Sequence, residues 1–248
     1  MGEAYLLVDG RVLKILREDL SQDPQIRARF EAEVVLQSSV CSPLVPRVCD
    51  EGEHQGRPYF VMEHHPGVVL ARCLEKERSL SVACIGAGLL DALSVCHSSG
   101  VVHRDVKADN VIVGSTGVSP RVSLIDFGVA CLFRSGGRAK VQLGSPCTWG
   151  PERLLGSDGA DVRSDLFSAG VLLFSIVANA HPFGHATPAW KQLLTRCETP
   201  PLRAFVADAA ALDGFFQKAL AKEIEERFSS ASSMRDAWRE GCAQASYW

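Results

Sequence analysis

The stretch HRDVKADNVIV, residues 103–113, sets four charged groups (Arg104, Asp105, Lys107 and Asp109) within six positions. A helix-like segment, SVACIGAGLLDALSVCHSSG, leads into it, and an apolar strand-like run leaves it. Charge is costly to bury without partners. Each of these residues taken alone reads as an ordinary turn former or solvated loop residue. Together they define an arrangement that the chain must fold around.

In an extended or looping backbone Asp105 and Lys107 point to the same side. Asn110 offers a carbonyl oxygen suited to a hard cation such as Mg²⁺. A carboxylate to orient a hydroxyl, an ammonium for a phosphate and an oxygen for a metal together suit phosphoryl transfer.

The rest of the chain divides around this loop. YLLVDGRVLKIL, residues 5–16, reads as two strands about a tight turn at Asp9-Gly10, where both positions tolerate positive φ. DPQIRARFEAEVVLQSSV reads as a helix with Asp23 as cap and Pro24 in the first turn. A second hairpin turns near Gln55-Gly56, and His64-His65-Pro66-Gly67 reads as a linker. Beyond it the pattern is mostly helical, with one helix running from Ser81 as cap to Gly100 as stop. Two short strands, NVIV and RVSLID, follow the charged loop. The result is a small β-rich lobe, a hinge and a larger α-rich lobe, and ligands favour the cleft between such lobes.

Bulk properties narrow the partners. A net charge of −3 points to no nucleic-acid or acidic-membrane partner. LFSAGVLLFSIVANA, 166–180, is short for a membrane span and reads as a buried core helix, so no membrane segment is expected. The N-terminus carries no signal-peptide pattern. Nine scattered cysteines without metal or redox spacing indicate a reducing, cytoplasmic location.

A second motif, LIDFGVA (124–130), places Asp126 at the end of an apolar strand, before Phe-Gly. With HRDVKADN at this distance, the chain resembles the protein kinase family, and specifically the eukaryotic-like Ser/Thr kinases of bacteria, over essentially its whole length. The resemblance implies an α+β, bilobal protein kinase-like fold in a single domain over 1–248, with an N-lobe at 1–65 and a helical C-lobe at 66–248. It implies Mg-ATP as cofactor and a protein Ser/Thr hydroxyl as acceptor. Asp105 would accept or orient the hydroxyl proton, and Lys107 would contact the γ-phosphate. Asn110 and Asp126 would hold Mg²⁺. Lys14 would bind the α/β-phosphates, with Glu33 as its partner, although spacing leaves Glu31 open. Met62, the Glu63 carbonyl and the His65 amide would line the adenine edge, and Val12, Ala4 and Ile112 would sandwich the ring. His103 and Phe127 would join the stack between the lobes. GSPCTWGPE, 144–152, resembles the segment that seats the substrate, with Ser145 near Asp105 and Lys107. Glu152 would pair with Arg227, Asp165 would hold the 103–110 loop, and Arg104 would meet a phosphate on Ser135, with Arg134, Arg138 and Lys140 nearby.

The chain also departs from the family. MGEAYLL resembles only the end of the glycine-rich phosphate loop, with Gly2 as its third glycine, so the N-lobe is expected to lack the first strand. That exposes a strand edge at Ala4–Val8 to a regulatory partner or a second copy. Gln37 stands where an apolar residue is usual, which predicts weaker lobe coupling or a shifted helix register. A pseudokinase or nucleotide-binding scaffold is the alternative to an active kinase. A small-molecule phosphotransferase is disfavoured by His103-Arg104-Asp105 and by GSPCTWGPE.

Overall fold

A computed structural model describes residues 2–75, 81–115, 120–133, 144–156, 160–184, 194–195 and 198–245. The first hairpin joins β1 (Gly2–Leu6) to β2 (Val12–Leu16), with Ala4 opposite Lys14. Its turn differs from the expected two-residue one. Residues 7–11 make the connection, Leu7 N donates to Arg11 O at 2.8 Å, and of the Asp9-Gly10 pair only Gly10 takes a positive φ, of 83°. Asp9 instead accepts the Arg11 amide on its carboxylate, which stabilises the longer loop.

Helix α1 (Pro24–Ser38) starts where the Asp23 carboxylate accepts the amides of Gln25 and Ile26, with Pro24 in the first turn. Strands β3 (Val48–His54) and β4 (Arg57–Met62) turn at Gln55 and Gly56, with φ of 52° and 76°. The four strands form one antiparallel sheet in the order β1-β2-β4-β3. Phe30 and Val34 of α1 pack on Leu16 and Phe60 of the sheet, with the two phenyl rings 5.4 Å apart. This packing lays α1 against β3 and β4 and brings Glu33 to Lys14 on β2.

The larger half holds β5 (Val68–Val69), α2 (Leu70–Glu75), α3 (Val82–Ser98), β6 (Val101–Val102), β7 (Val111–Ser115), β8 (Pro120–Leu124) and β9 (Cys131–Leu132). It continues with α4 (Pro151–Leu154), α5 (Val162–Ala178), α6 (Asp213–Ala219) and α7 (Ala231–Gln244). Ser81 caps α3, and Gly100 ends it at φ 75°. Leu89, Leu90 and Leu93 of α3 and Leu166, Phe167 and Phe174 of α5 are fully buried in one core. Trp238 of α7 donates its indole N–H to Ala83 O at 3.0 Å and lies against Gly86, where a Cβ would collide with the ring. Within 166–180 the helix expected there runs to Ala178 and is buried over 166–174, and among the described residues no helix is long and apolar enough to cross a membrane.

Loop 103–110 hangs between β6 and β7. The β7–β8 hairpin pairs Val111 with Leu124, so Asn110 precedes one strand where Asp126 follows the other. Topology thus brings residues sixteen positions apart to one end of a hairpin.

Candidate active site

Helix α5 anchors the charged loop from below. Asp165 is fully buried, and its carboxylate accepts the backbone amides of His103 at 2.8 Å and Arg104 at 2.7 Å. His97, on α3, meets the same carboxylate at 2.9 Å through Nε2. Burial works against the Asp165 charge, but the contact with His97 and these amides outweighs it, so the carboxyl lies below its ordinary value of 3.8. A depressed carboxylate contributes stability above its unfolded pKa and loses it as pH falls through the folded value. As pH falls from the ordinary value of 3.8 toward the lower folded one, stability is therefore expected to fall more steeply for the native chain than for Asp165→Asn. Denaturant midpoints against pH read the difference, and parallel curves would contradict it.

Arg104 sits at φ 67°, in the left-handed region, and turns the backbone between His103 and Asp105. The Asp105 carboxylate accepts the Ser145 amide at 2.8 Å on one oxygen. Its other oxygen accepts the Asn110 side-chain amide at 2.9 Å and lies 3.0 Å from Lys107 Nζ. Lys107 Nζ also donates to Ser145 Oγ at 2.9 Å. Asp105, Lys107, Asn110 and Ser145 thus form one cluster. With its NH₂ spent on Asp105, Asn110 presents its carbonyl oxygen on the other side. His103 contacts Ile125 O at 3.1 Å through Nε2, and its ring meets Phe127 edge-on at 5.0 Å.

A second cluster forms on β2. Lys14 Nζ is 2.5 Å from Glu33 Oε1 and 3.0 Å from Asp126 Oδ1. Glu33 is buried and Glu31 exposed, which closes the choice that spacing left open. Burial opposes the Lys14 charge, yet the two carboxylates raise its pKa. Burial pushes Glu33 upward, and Lys14 offsets this only in part. At Asp126, burial is outweighed by Lys14, and the carboxyl is held low. Asp126 adopts φ 68°, and its side chain remains 47% exposed. Gln37 does not shift the helix register, because Glu33 reaches Lys14. Its buried amide donates to Pro46 O at 2.7 Å and lies 3.4 Å from Met62 Sδ, so the polar group is satisfied.

The linker residues sit at the end of β4. Met62 pairs with Val12, and Glu63 N donates to Arg47 O at 2.9 Å. The buried His65 imidazole lies 2.8 Å from Ser123 Oγ, and burial lowers its pKa. Gly2 lies close over Lys14, where an added Cβ would stand 3.2 Å from Lys14 Cγ. Ala4, opposite Lys14 in register, is exposed, whereas Ile112 belongs to the β7 sheet of the larger half, paired with Val69 and Ser123.

In the larger half, Arg227 donates to both Glu152 oxygens, at 2.7 and 3.2 Å, and Ser164 Oγ donates at 2.8 Å. A Cβ added at Gly150 would meet the Glu152 carboxylate, so a larger residue there would need that carboxylate to shift. Two contributors escaped sequence reasoning. They are His97 and Arg153, and a signal for Arg153 is Trp149 four positions earlier. Ser135, Arg134, Arg138 and Lys140 lie outside the described residues.

Comparison with known proteins meets this geometry. Residues 9–239 match the protein kinase domain. The chain is 32% identical over 256 residues to the serine/threonine-protein kinase PknB of Mycobacterium tuberculosis, covering 95% of this chain and 40% of that kinase. It is 31% identical over 257 residues to the serine/threonine-protein kinase Pkn1 of Myxococcus xanthus, covering 98% and 37%. The crystal structure of the Mycobacterium tuberculosis PknI kinase domain superposes with a TM-score of 0.73 at 27% identity, covering 97% of this chain and 91% of that one. The chain thus spans about 40% of the length of the first curated relative it matches. The match runs through both halves of the fold and across both charged clusters, and on that ground the chain belongs to the protein kinase family.

Proposed function

We propose that this chain transfers the γ-phosphate of Mg-ATP to a Ser or Thr hydroxyl of a protein substrate. The observation that carries the reading is the Lys107 ammonium bridging the Asp105 carboxylate and the Ser145 hydroxyl. A base for a hydroxyl proton and a cation for phosphate oxygens stand side by side there. Asp105 takes the acceptor proton, Lys107 stabilises charge on the transferred phosphate, and Ser145 fixes both from the substrate-seating segment. Lys14, oriented by Glu33, holds the α/β-phosphates. Met62, Glu63, His65, Val12, Ala4 and Ile112 border the adenine. Arg104 stands ready for a phosphate on the loop that follows Phe127.

The residues present fit a magnesium ion. Among the described residues no three His, Cys, Asp or Glu side chains gather into a closed metal cage. Mg²⁺ commonly takes one or two protein oxygens with substrate phosphates completing its shell. The half-exposed Asp126 carboxylate and the Asn110 carbonyl oxygen supply that pair. When bound, the ion neutralises phosphate charge.

The reading extends to a single domain over 1–248, with lobes at 1–65 and 66–248, supported by the family match running through both. It takes Gly2 as the end of the phosphate loop and β1 as the strand that follows the usual first one. The support is that β1 is at the sheet edge, with Glu3–Leu6 exposed. That edge offers backbone groups to a further strand, from a regulatory partner or a second copy. A cytoplasmic location is supported by the nine scattered cysteines, whose spacing matches no metal or redox motif.

Labelled Mg-ATP, incubated with the chain and a generic basic protein, is expected to label the protein. Lys14→Met is expected to weaken ATP binding on the order of tenfold or more by removing a charge-assisted contact. Calorimetric titration measures that directly, and unchanged affinity would exclude Lys14 from the phosphate site. Binding without transfer by the native chain would favour the scaffold alternative.

A further inference from the structure

Arg153 is a buried arginine, 3% exposed, in the short helix α4 that follows the substrate-seating segment. Its guanidinium lies 4.4 Å over the ring of Trp149, itself buried. Its Nη1 reaches out of α4 and donates to the backbone carbonyl of Arg104 at 2.8 Å. That carbonyl belongs to the same rigid peptide unit as the amide of Asp105. Fixing its direction therefore fixes the plane from which the Asp105 side chain projects.

The neighbouring atoms show how closely this peptide is held. On its N-terminal side the Arg104 amide is fixed by Asp165 at 2.7 Å. On its C-terminal side the Asp105 amide faces His103 Nδ1 at 3.3 Å. Gly144, at φ 100°, passes so near that an added Cβ would stand 2.9 Å from the Arg104 carbonyl oxygen. Arg104 occupies the left-handed region, which an L-residue holds only when its surroundings impose it. Asp165 holds one end of Arg104, and Arg153 holds the other.

The arrangement carries a cost. Burial and the charge of Arg104 push the Arg153 pKa down to about 10. The carboxylates of Asp165, Glu152 and Asp105 oppose that shift only in part. The bond to the Arg104 carbonyl ties this buried cation directly to the geometry of the loop.

We propose that Arg153 is a positioning residue for phosphate transfer. From the helix that continues the segment carrying Ser145 it sets the Arg104–Asp105 peptide, and through it the Asp105 carboxylate. It acts through Asp105 and does not touch the reactants. The inference rests on the kinase reading given above. It adds a mechanical link by which seating of the substrate segment and orientation of Asp105 become one event.

The test compares the native chain with Arg153→Met, which keeps an apolar stem against Trp149 and removes the donors. Initial rates with a generic basic protein give kcat and the KM for ATP, and the rise in Tm with Mg-ATP reports the nucleotide site. The expected result is a kcat lower by about 10- to 100-fold, the scale of one lost charge-assisted hydrogen bond. The KM for ATP and the nucleotide-induced Tm rise should stay within about twofold of native. An unchanged kcat overturns the proposal. So does a joint loss of kcat and nucleotide response, which marks Arg153 as a support of the fold alone. Should the methionine variant not fold, Arg153→Lys, which keeps a buried cation but loses the planar fork, is read by the same criteria. A native chain that binds Mg-ATP yet transfers no phosphate defeats the kinase reading itself, and the two failures are thereby told apart.

Discussion

Asp105→Asn is expected to slow phosphate transfer by about 10²- to 10⁴-fold, the usual range for losing a general base. The geometry adds a second reason. The native carboxylate receives the Ser145 amide on one oxygen, and Asn110 and Lys107 on the other. An asparagine has one oxygen for these three donors and must turn its own NH₂ toward one side. It loses both the proton acceptor and the contact that holds Ser145 or Lys107. Because Lys14, Glu33 and Asp126 form a separate cluster, Mg-ATP binding should survive. Single-turnover transfer beside nucleotide titration distinguishes these effects, and a variant at the native rate would remove Asp105 from the chemistry.

Arg227→Met is expected to have the largest effect on stability, a loss of about 3–5 kcal/mol. The Arg227 side chain is fully buried, so Glu152 would be left with an uncompensated charge. The guanidinium also donates to the carbonyls of Ala221, Arg163 and Lys222, and it lies 4.6 Å over the Phe167 ring. Burial raises the Glu152 pKa, but Arg227 outweighs it, and the carboxyl is held below its ordinary 4.5. The pair thus stabilises the fold above that pH and ceases to do so as pH falls through the folded value. Denaturant midpoints would show it. A loss under about 1 kcal/mol would place the pair with exposed ion pairs instead. Glu152→Leu combined with Arg227→Met should recover part of the loss, because the stranded carboxylate is gone.

Much of this was legible from the chain alone, for identifiable reasons. Asp23-Pro24 and Ser81 are local cap chemistry, so the starts of α1 and α3 could be read directly. Gln55-Gly56 adopts the turn such a dipeptide favours, whereas Asp9-Gly10 does not, because the Asp9 side chain competes for the Arg11 amide. The Asp105–Lys107–Asn110 cluster was visible because its members are near in sequence. The choice between Glu31 and Glu33 was not, because it depends on how α1 is rotated, and Phe30 and Val34 packing on the sheet decides that. Gln37 looked like a defect because its partners, Pro46 O and Met62, are brought to it only by tertiary folding. The bond from Arg153 to Arg104 crosses forty-nine positions, and no spacing rule reaches so far.

One ammonium, Lys14, serves two carboxylates at once. On the kinase reading, a phosphate approaching Lys14 is therefore a ligand exchange: it displaces Asp126, while Glu33 stays behind in its buried seat. The electrostatic gain is the difference between two contacts, so nucleotide affinity should depend only weakly on ionic strength. The displaced carboxylate, half in solvent, is then available to a divalent cation. Nucleotide and cation each release what the other needs, and their affinities are reciprocally linked. On that reading the shared ion pair would be a latch that the two ligands open better together than either does alone.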